Sequence, residues 1–132
     1  MKINLLLVDD DDTIREALAS LLLLEFDGKL KVVEARSGYE AIRLLGNAQI
    51  DIIISDYSMS DGTGADLLQF VSERHRSIPF IFYTSMNNPE LPEVSSNFLG
   101  VVEKPQFRKL TRKIIESVCI SPTFAANDSV SK

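Results

Sequence analysis

The sequence has little of what a secreted, membrane-spanning or nucleic-acid-binding protein needs. Its 132 residues include one cysteine, Cys119, which has no partner for an internal disulfide and indicates a reducing compartment. There are 14 basic residues against 19 acidic ones, and the net charge of -5 disfavours nonspecific binding to DNA or to an anionic membrane. The apolar runs at residues 3–8 and 21–24 are too short for a signal peptide or a membrane span. We therefore expect a soluble, cytoplasmic protein with no direct nucleic-acid or membrane partner.

The length fits one domain, and the apolar pattern predicts how that domain is built. Five short apolar runs, several of them rich in β-branched residues, predict strands. Stretches of helical periodicity separate these runs, and this alternation predicts a parallel sheet with helices on both faces, an α/β fold. Residues 121–132 lack periodicity, so we assign residues 1–120 to the domain and 121–132 to a flexible tail. The predicted strands are 3–8, 29–35, 50–55, 78–83 and 99–103.

The sequence also predicts the ends and the buried face of the first helix. It begins at Asp12 or Thr13, either of which can cap it, and ends at residues 27–28. Acidic residues at a helix N-terminus complement the helix dipole, which is sufficient to explain Asp11 and Asp12. Apolar residues at helical spacing predict the face that this helix buries, namely Ile14, Ala17, Leu18, Leu21 and Leu22.

Polar side chains follow four of the predicted strands at the point where each strand ends. Asp9 and Asp10 follow the first strand, Asp56 the third, Thr84 the fourth and Lys104 the fifth. In an open parallel sheet, ligands bind beyond the carboxyl ends of the strands. Clustered carboxylates repel one another unless a cation neutralises them, and Mg²⁺ is a hard cation that takes oxygen ligands. The set suits phosphoryl transfer to a carboxylate, with the metal and a fixed lysine dispersing the charge.

Four segments of the chain resemble the motifs of bacterial response-regulator receiver domains, in the family's order and at similar spacing. No single motif is decisive, but the four together are specific. The resemblance covers about residues 2–118 and implies a flavodoxin-like fold, which has three α/β/α layers and a five-stranded parallel sheet of order 2-1-3-4-5. The segments are LLVDDD at 6–11, IISDYSM at 53–59, YTS at 83–85 and VEKP at 102–105.

The resemblance implies a role for each of these polar residues. Asp56 would accept a phosphoryl group from a histidine kinase or a histidine phosphotransfer protein, and the domain would then signal to a downstream protein without acting on a separate substrate. Thr84 and Lys104 would contact the phosphoryl group. Mg²⁺, with Mn²⁺ as the alternative, would be held by the carboxylates of Asp9, Asp10 and Asp56 and by the backbone carbonyl of Ser58.

The resemblance also has consequences at less polar positions. Ser58 and Met86 occupy the two positions that tune dephosphorylation in the family, and Lys104–Pro105 resembles its usual cis peptide. Ser60 stands where receivers usually carry proline. Val101 stands at the position of the family's aromatic switch residue and cannot swing a ring between two poses.

The family's fourth helix corresponds to residues 89–98 of this chain. Pro89 suits the first turn of a helix, but Pro92 lacks an N–H group and tolerates little helix before it. We therefore expect this helix to be short, displaced or partly irregular, and the surface that it forms to be atypical.

Two other functions are consistent with parts of the pattern. Asp9, Asp11 and Thr13 also resemble the first motif of haloacid-dehalogenase-type phosphatases, in which Asp9 would be the nucleophile. The chain lacks an obvious late acidic metal-binding motif after Lys104 for such an enzyme. The other alternative is a receiver-like binding module that acts without phosphorylation, a reading motivated by Val101 and Pro92.

Overall fold

A computed structural model of the chain describes residues 2–60, 62–93 and 96–118. They form seven strands and four helices in one domain. The elements are β1 (Ile3–Val8), α1 (Asp12–Glu25), β2 (Leu30–Ala35), α2 (Gly38–Asn47), β3 (Ile52–Ser55), β4 (Ser58–Met59), β5 (Gly62–Thr63), α3 (Gly64–Arg74), β6 (Phe80–Thr84), β7 (Phe98–Glu103) and α4 (Phe107–Val118).

The main sheet has five parallel strands in the order β2-β1-β3-β6-β7. This is the order predicted for the five long strands, and the flavodoxin-like α/β fold is confirmed. Val8 pairs with Ser55, and Ser55 pairs with Phe82, so the carboxyl ends of the three central strands lie side by side. The short strands β4 and β5 form a separate antiparallel hairpin between β3 and α3, where the apolar pattern predicts no strand.

Two apolar layers enclose the sheet because successive side chains of a strand point to opposite faces. On one face, Leu5 and Leu7 pack with residues of α1 and α4; on the other, Leu6 and Val8 pack with residues of α2 and α3. Ile52, Ile53 and Ile54 of β3 are fully buried, as expected for a central strand covered on both sides.

The face that α1 buries differs from the prediction. Leu18 and Leu22 are buried as expected, but Ile14 is 45% exposed, Leu21 is 48% exposed and Ala17 is exposed as well. The position one turn before Leu18 is taken by Arg15, which is buried with polar partners and so rotates the packed face of the helix away from Ile14. The N-cap is Asp11, whose side chain accepts a hydrogen bond from the Ile14 N–H at 3.0 Å, and neither Asp12 nor Thr13 caps the helix.

The segment between β6 and β7 contains no helix in its described residues, 85–93 and 96–97. A helix that is short, displaced or partly irregular was expected over 89–98, and the described residues of that range form no helix at all. Asn88 has a left-handed backbone with φ 48, and Pro92 cannot donate a helical hydrogen bond. Phe98, placed at the end of that helix by the prediction, is the first residue of β7. Cys119 and the predicted tail lie outside the described residues.

None of the helices in the described ranges has the length and apolarity needed to cross a membrane.

Candidate functional site

Asp9, Asp56 and Lys104 meet at the carboxyl edge of the sheet. The Lys104 Nζ atom lies 3.2 Å from Asp9 Oδ2 and 3.5 Å from Asp56 Oδ2, so one ammonium group bridges two carboxylates. All three side chains are largely shielded from solvent. Low exposure strengthens these ion pairs relative to pairs on an open surface. The structure thus brings together three of the residues that the sequence placed at three different strand ends.

Lys104 is held at this position by its backbone and by its aromatic neighbour. Its N–H donates to the Thr84 carbonyl at 2.8 Å, and the Lys104–Pro105 peptide is cis, as predicted. The Nζ atom lies 5.9 Å from the centre of the Tyr83 ring, within the range of a cation–π contact. Burial raises the pKa of the Tyr83 phenol above its ordinary value, and the charge of Lys104 opposes that rise. Tyr83 therefore stays neutral beneath the cation.

Arg15 fixes the backbone on which Asp9 sits. Its guanidinium donates to the Asp9 carbonyl oxygen at 2.8 Å and to Glu34 Oε1 at 2.9 Å, and it also pairs with Asp12 at 2.8 Å. The Asp9 carboxylate in turn accepts the Asp11 N–H at 2.9 Å. The sequence analysis missed this arginine. The available signal was its helical spacing to Leu18 and Leu22, three and seven residues further on.

Asp10 lies beside the same site but is engaged by the loop after β3. Its Oδ2 accepts the Ser60 N–H at 2.7 Å. The loop itself, residues 56–60, is called the acceptor loop below. In this loop the Tyr57 N–H donates to Asp56 Oδ1 at 2.7 Å. Asp10 therefore fixes the far end of the acceptor loop, while Lys104 holds the other oxygen of Asp56.

Gly64 supports the acceptor loop through close contact. Its N–H donates to the Tyr57 carbonyl at 2.6 Å, and a Cβ added at Gly64 would lie 2.5 Å from both the Asp56 carbonyl oxygen and Phe82 Cε1. The φ of Gly64 is not in the left-handed region, so this position requires glycine for space and not for conformational freedom.

We expect Gly64→Ala to lower the free energy of unfolding by about 2 kcal/mol, because the added methyl group would push against the Asp56 carbonyl and the Phe82 ring. Gly46→Ala is the control, since a Cβ there meets nothing within 4 Å inside α2, and it should raise stability by about 0.5–1 kcal/mol. Urea denaturation of both variants measures the difference. Equal stability of Gly64→Ala and the unsubstituted protein would contradict the close packing.

Thr84 and Ser58 both contact Met86. Thr84 is buried at the end of β6, and its Oγ1 accepts the Met86 N–H at 3.2 Å. The exposed Ser58 hydroxyl lies 3.8 Å from the Met86 sulfur. The two residues singled out as tuning positions, Ser58 and Met86, are thus in contact with each other. No role of these residues is tested by the geometry alone, and their assignments remain predictions.

The donor set fits a cation that needs few protein ligands. Within 2–60, 62–93 and 96–118, no group of three acidic, histidine or cysteine side chains is already arranged around a metal position. Lys104 bridges Asp9 and Asp56, and Ser60 engages Asp10. Mg²⁺ binds through one or two carboxylates and keeps several waters, so these oxygens suit it once the lysine contacts loosen.

The chain is similar to known proteins over most of its length. The family model described as the response regulator receiver domain matches residues 5–116. The response regulator PilR of Pseudomonas aeruginosa is 35% identical over 82 residues, covering 61% of this chain and 17% of PilR. The response regulator SaeR of Staphylococcus aureus is 37% identical over 82 residues, covering 62% of this chain and 34% of SaeR. The chain therefore spans only about a sixth to a third of these relatives.

Solved structures show the same fold. The chemotaxis response regulator CheY4 of Vibrio cholerae is 26% identical with a TM-score of 0.69, covering 85% of this chain and 98% of CheY4. The response regulator TrrA of Thermotoga maritima, solved in complex with Mg²⁺-BeF, is 24% identical with a TM-score of 0.78, covering 89% of this chain and all of TrrA. Because the family model spans most of the chain and the fold agrees, this protein belongs to the response regulator receiver domains of two-component systems.

Proposed function

We propose that Asp56 is the phosphoacceptor of this receiver domain and that its phosphorylation depends on Mg²⁺. The observation that carries the proposal is the contact of Asp56 with Lys104, which also pairs with the buried Asp9. A carboxylate with a cation on one oxygen and a backbone N–H on the other is fixed in orientation. Fixed orientation and nearby positive charge are what an in-line attack on a phosphoryl group requires.

In the proposed reaction, one oxygen of the Asp56 carboxylate attacks the phosphorus of a phosphohistidine on a partner. An O–P bond forms to Asp56, the P–N bond of the donor breaks, and the imidazole leaves with the electron pair and takes up a proton. Lys104 offsets the charge on the phosphoryl oxygens, and the Thr84 hydroxyl donates its hydrogen to one of them while its oxygen can still accept the Met86 N–H. Slow attack by water on the same phosphorus breaks the O–P bond, releases inorganic phosphate and returns Asp56 to its carboxylate, so the domain acts on no substrate beyond its phosphoryl donor.

The proposed Mg²⁺ site consists of the Asp9, Asp10 and Asp56 carboxylates and the Ser58 backbone carbonyl, with Mn²⁺ as an alternative ion. When bound, the metal would neutralise negative charge on the transferring group. Asp9 is already positioned by Arg15 and by the Asp11 N–H. Asp10 would have to exchange its bond with Ser60 for the metal. The Mg²⁺-BeF complex of the relative TrrA supports this choice of ion.

The exposed apolar stripe of α1 supports a protein as the phosphoryl donor. Ile14, Leu21 and Leu24 are 45–65% exposed and lie on one side of the helix at heptad-like spacing. Ile14 is in the first turn of α1, at the end of the helix that follows the Asp9–Asp10 pair. We propose that a helix of a cytoplasmic, histidine-bearing partner covers it. The relative TrrA has been solved in complex with the histidine kinase ThkA.

The phosphatase alternative, with Asp9 as nucleophile, receives less support. The Asp9 side chain is 5% exposed and that of Asp56 16% exposed, so a phosphoryl group has less access to Asp9. Each carboxylate has one oxygen near Lys104 and one that accepts a backbone N–H, so exposure and not the number of partners distinguishes them. Asp56 lies further out and has Lys104 at a longer distance than Asp9 has. Asp56 is therefore the better placed carboxylate for attack on an incoming phosphoryl group.

Incubation with acetyl phosphate, a small phosphoryl donor, tests the proposal. With Mg²⁺ present, we expect the intact mass to rise by one phosphoryl group while acetate is released. Chelation of the metal with EDTA should remove the gain. Protein that folds and binds Mg²⁺ but gains no mass would contradict the proposed function, and so would an equal gain in EDTA.

A further inference from the structure

Tyr57 contacts both the acceptor carboxylate and the segment that follows β6. Its backbone N–H donates to Asp56 Oδ1 at 2.7 Å. Its ring is buried against Phe82, with ring centres 5.3 Å apart in an edge-to-face arrangement. Its hydroxyl donates a hydrogen bond to the backbone carbonyl of Glu90, 33 residues further along the chain. A single side chain therefore connects the acceptor site to residues 85–93.

Residues 85–93 have no helix or strand of their own to hold them. Two side chains of the acceptor loop reach this segment, Ser58 at the Met86 sulfur and Tyr57 at the Glu90 carbonyl. A segment with little regular structure opens at low free-energy cost, so the loss of a single hydrogen bond has a large effect on its position. The Tyr57 hydroxyl is the contact closest to the centre of the segment.

The position of this segment determines the shape of a surface groove. The groove has a volume of about 600 Å³ and lies between the segment, β7 and the start of α4. Met86 and Leu91 form its apolar lining on the segment side, and both side chains are more than 40% exposed. Val101 and Lys109 line the opposite side. Movement of residues 85–93 would widen or close this groove.

The geometry points to a tether: the Tyr57 hydroxyl holds residues 85–93 while Asp56 is unmodified, and phosphorylation of Asp56 releases them. This inference rests on the proposed function for its trigger, whereas the tether itself stands on the contacts of Tyr57. Phosphorylation of Asp56 would thus change the shape of the groove through the Tyr57 side chain.

The direction of the effect follows from the hydrogen bond at Asp56. The Tyr57 N–H now donates to an ionised carboxylate, and charge-assisted hydrogen bonds are about twice as strong as neutral ones. If the phosphoryl group is joined to Oδ2, Oδ1 becomes a neutral carbonyl oxygen; if it is joined to Oδ1, that oxygen carries the phosphorus. In both cases the present bond from the Tyr57 N–H to Oδ1 is either weakened or exchanged for a bond to a phosphoryl oxygen in another position. The peptide that bears the Tyr57 ring is then less firmly held, and the hydroxyl loses its alignment with Glu90.

Cleavage by the glutamate-specific endoproteinase Glu-C tests the tether at the bond that it holds. The protease must engage the Glu90 carbonyl to cut between Glu90 and Leu91, and the Tyr57 hydroxyl occupies that carbonyl. We expect Tyr57→Phe to be cut there about fivefold faster than the unsubstituted protein, the effect of losing one hydrogen bond. Phosphorylation by acetyl phosphate with Mg²⁺ should accelerate the cut in the unsubstituted protein and add little in Tyr57→Phe.

Two controls isolate the hydroxyl. Tyr39→Phe removes the same atom from a side chain that is 77% exposed on α2, and its cleavage should match that of the unsubstituted protein before and after phosphorylation. Cleavage after Glu16, inside α1, requires that helix to unfold and should stay slow in every variant. A Tyr57→Phe protein cut faster at both positions would contradict a local tether.

Intact masses of the same samples separate the inference from the proposed function. A protein that gains no phosphoryl group contradicts the proposed function, and the unmodified samples alone then decide whether the tether exists. A phosphorylated protein cut no faster at Glu90 overturns the release step while leaving phosphorylation in place. Equal cleavage of unmodified Tyr57→Phe and unsubstituted protein overturns the tether.

Discussion

Replacing Asp56 with asparagine is expected to abolish phosphoryl acceptance from acetyl phosphate. The amide is nearly isosteric with the carboxylate and can still accept the Tyr57 N–H through its oxygen, so the acceptor loop keeps its geometry. It carries no negative charge and is a very weak nucleophile, so no acyl phosphate forms. Intact mass after incubation with acetyl phosphate and Mg²⁺ should show the unmodified protein alone.

Asp51→Asn is the matched control because Asp51 lies at the other end of the same strand. Its Oδ2 accepts the Asn4 N–H at 2.8 Å, a bond that an asparagine oxygen can also make. We expect this variant to gain a phosphoryl group as the unsubstituted protein does. A mass gain in Asp56→Asn equal to that of Asp51→Asn would show that another side chain is the acceptor.

Replacing Lys104 with alanine is expected to separate metal binding from phosphoryl transfer. Removal of the ammonium leaves the Asp9 and Asp56 carboxylates without their shared cation, so Mg²⁺ should bind at least as tightly as before. The transferring phosphoryl group loses its fixed counter-charge at the same time. Loss of one such preorganised group costs about 100-fold in rate, and we expect a decrease of that order with acetyl phosphate.

Isothermal titration calorimetry with Mg²⁺ and the rate of mass gain measure the two effects on the same preparation. Lys31→Ala is the control for net charge, since Lys31 is exposed on β2 and away from the acidic edge. An unchanged phosphorylation rate in Lys104→Ala would remove the lysine from the mechanism. Loss of Mg²⁺ binding in this variant would contradict the competition between lysine and metal.

The sheet could be predicted from the sequence because its strands are buried on both faces. Residues 50–55 are apolar except for Asp51 and Ser55 near the two ends, a pattern that a central strand covered on both faces readily explains. The ends of such strands fall at one edge, so Asp9, Asp56 and Lys104 could be grouped before any coordinates were known. Their actual contact in the structure agrees with that grouping.

The packed face of α1 could not be predicted from hydrophobicity alone. The apolar pattern treats Ile14 and Leu21 as buried and gives no weight to a charged residue on the same face. The burial of Arg15 is compensated by three oxygen acceptors, which are the Asp9 carbonyl and the carboxylates of Asp12 and Glu34. The Asp9 carbonyl directly follows β1, and Glu34 belongs to β2. Such compensation depends on tertiary structure.

The contacts of the acceptor loop are also tertiary. Tyr57 bonds a carbonyl 33 residues away, and Asp10 accepts an N–H from Ser60, 50 residues away. The periodicity of a local stretch of sequence does not predict contacts between residues so far apart in the chain. The expected helix over 89–98 rested on the family resemblance, and the structure instead has irregular backbone through Pro92. The segment that departs most from the expectation is the one that Tyr57 contacts.

Chemical mapping of the phosphorylated residue tests the account most directly. Borohydride reduces an aspartyl phosphate to homoserine, and sequencing of the resulting peptides by mass spectrometry identifies the residue that carried it. The account predicts homoserine at position 56 after treatment with acetyl phosphate and Mg²⁺. Homoserine at position 9, with Asp56 intact, would contradict it.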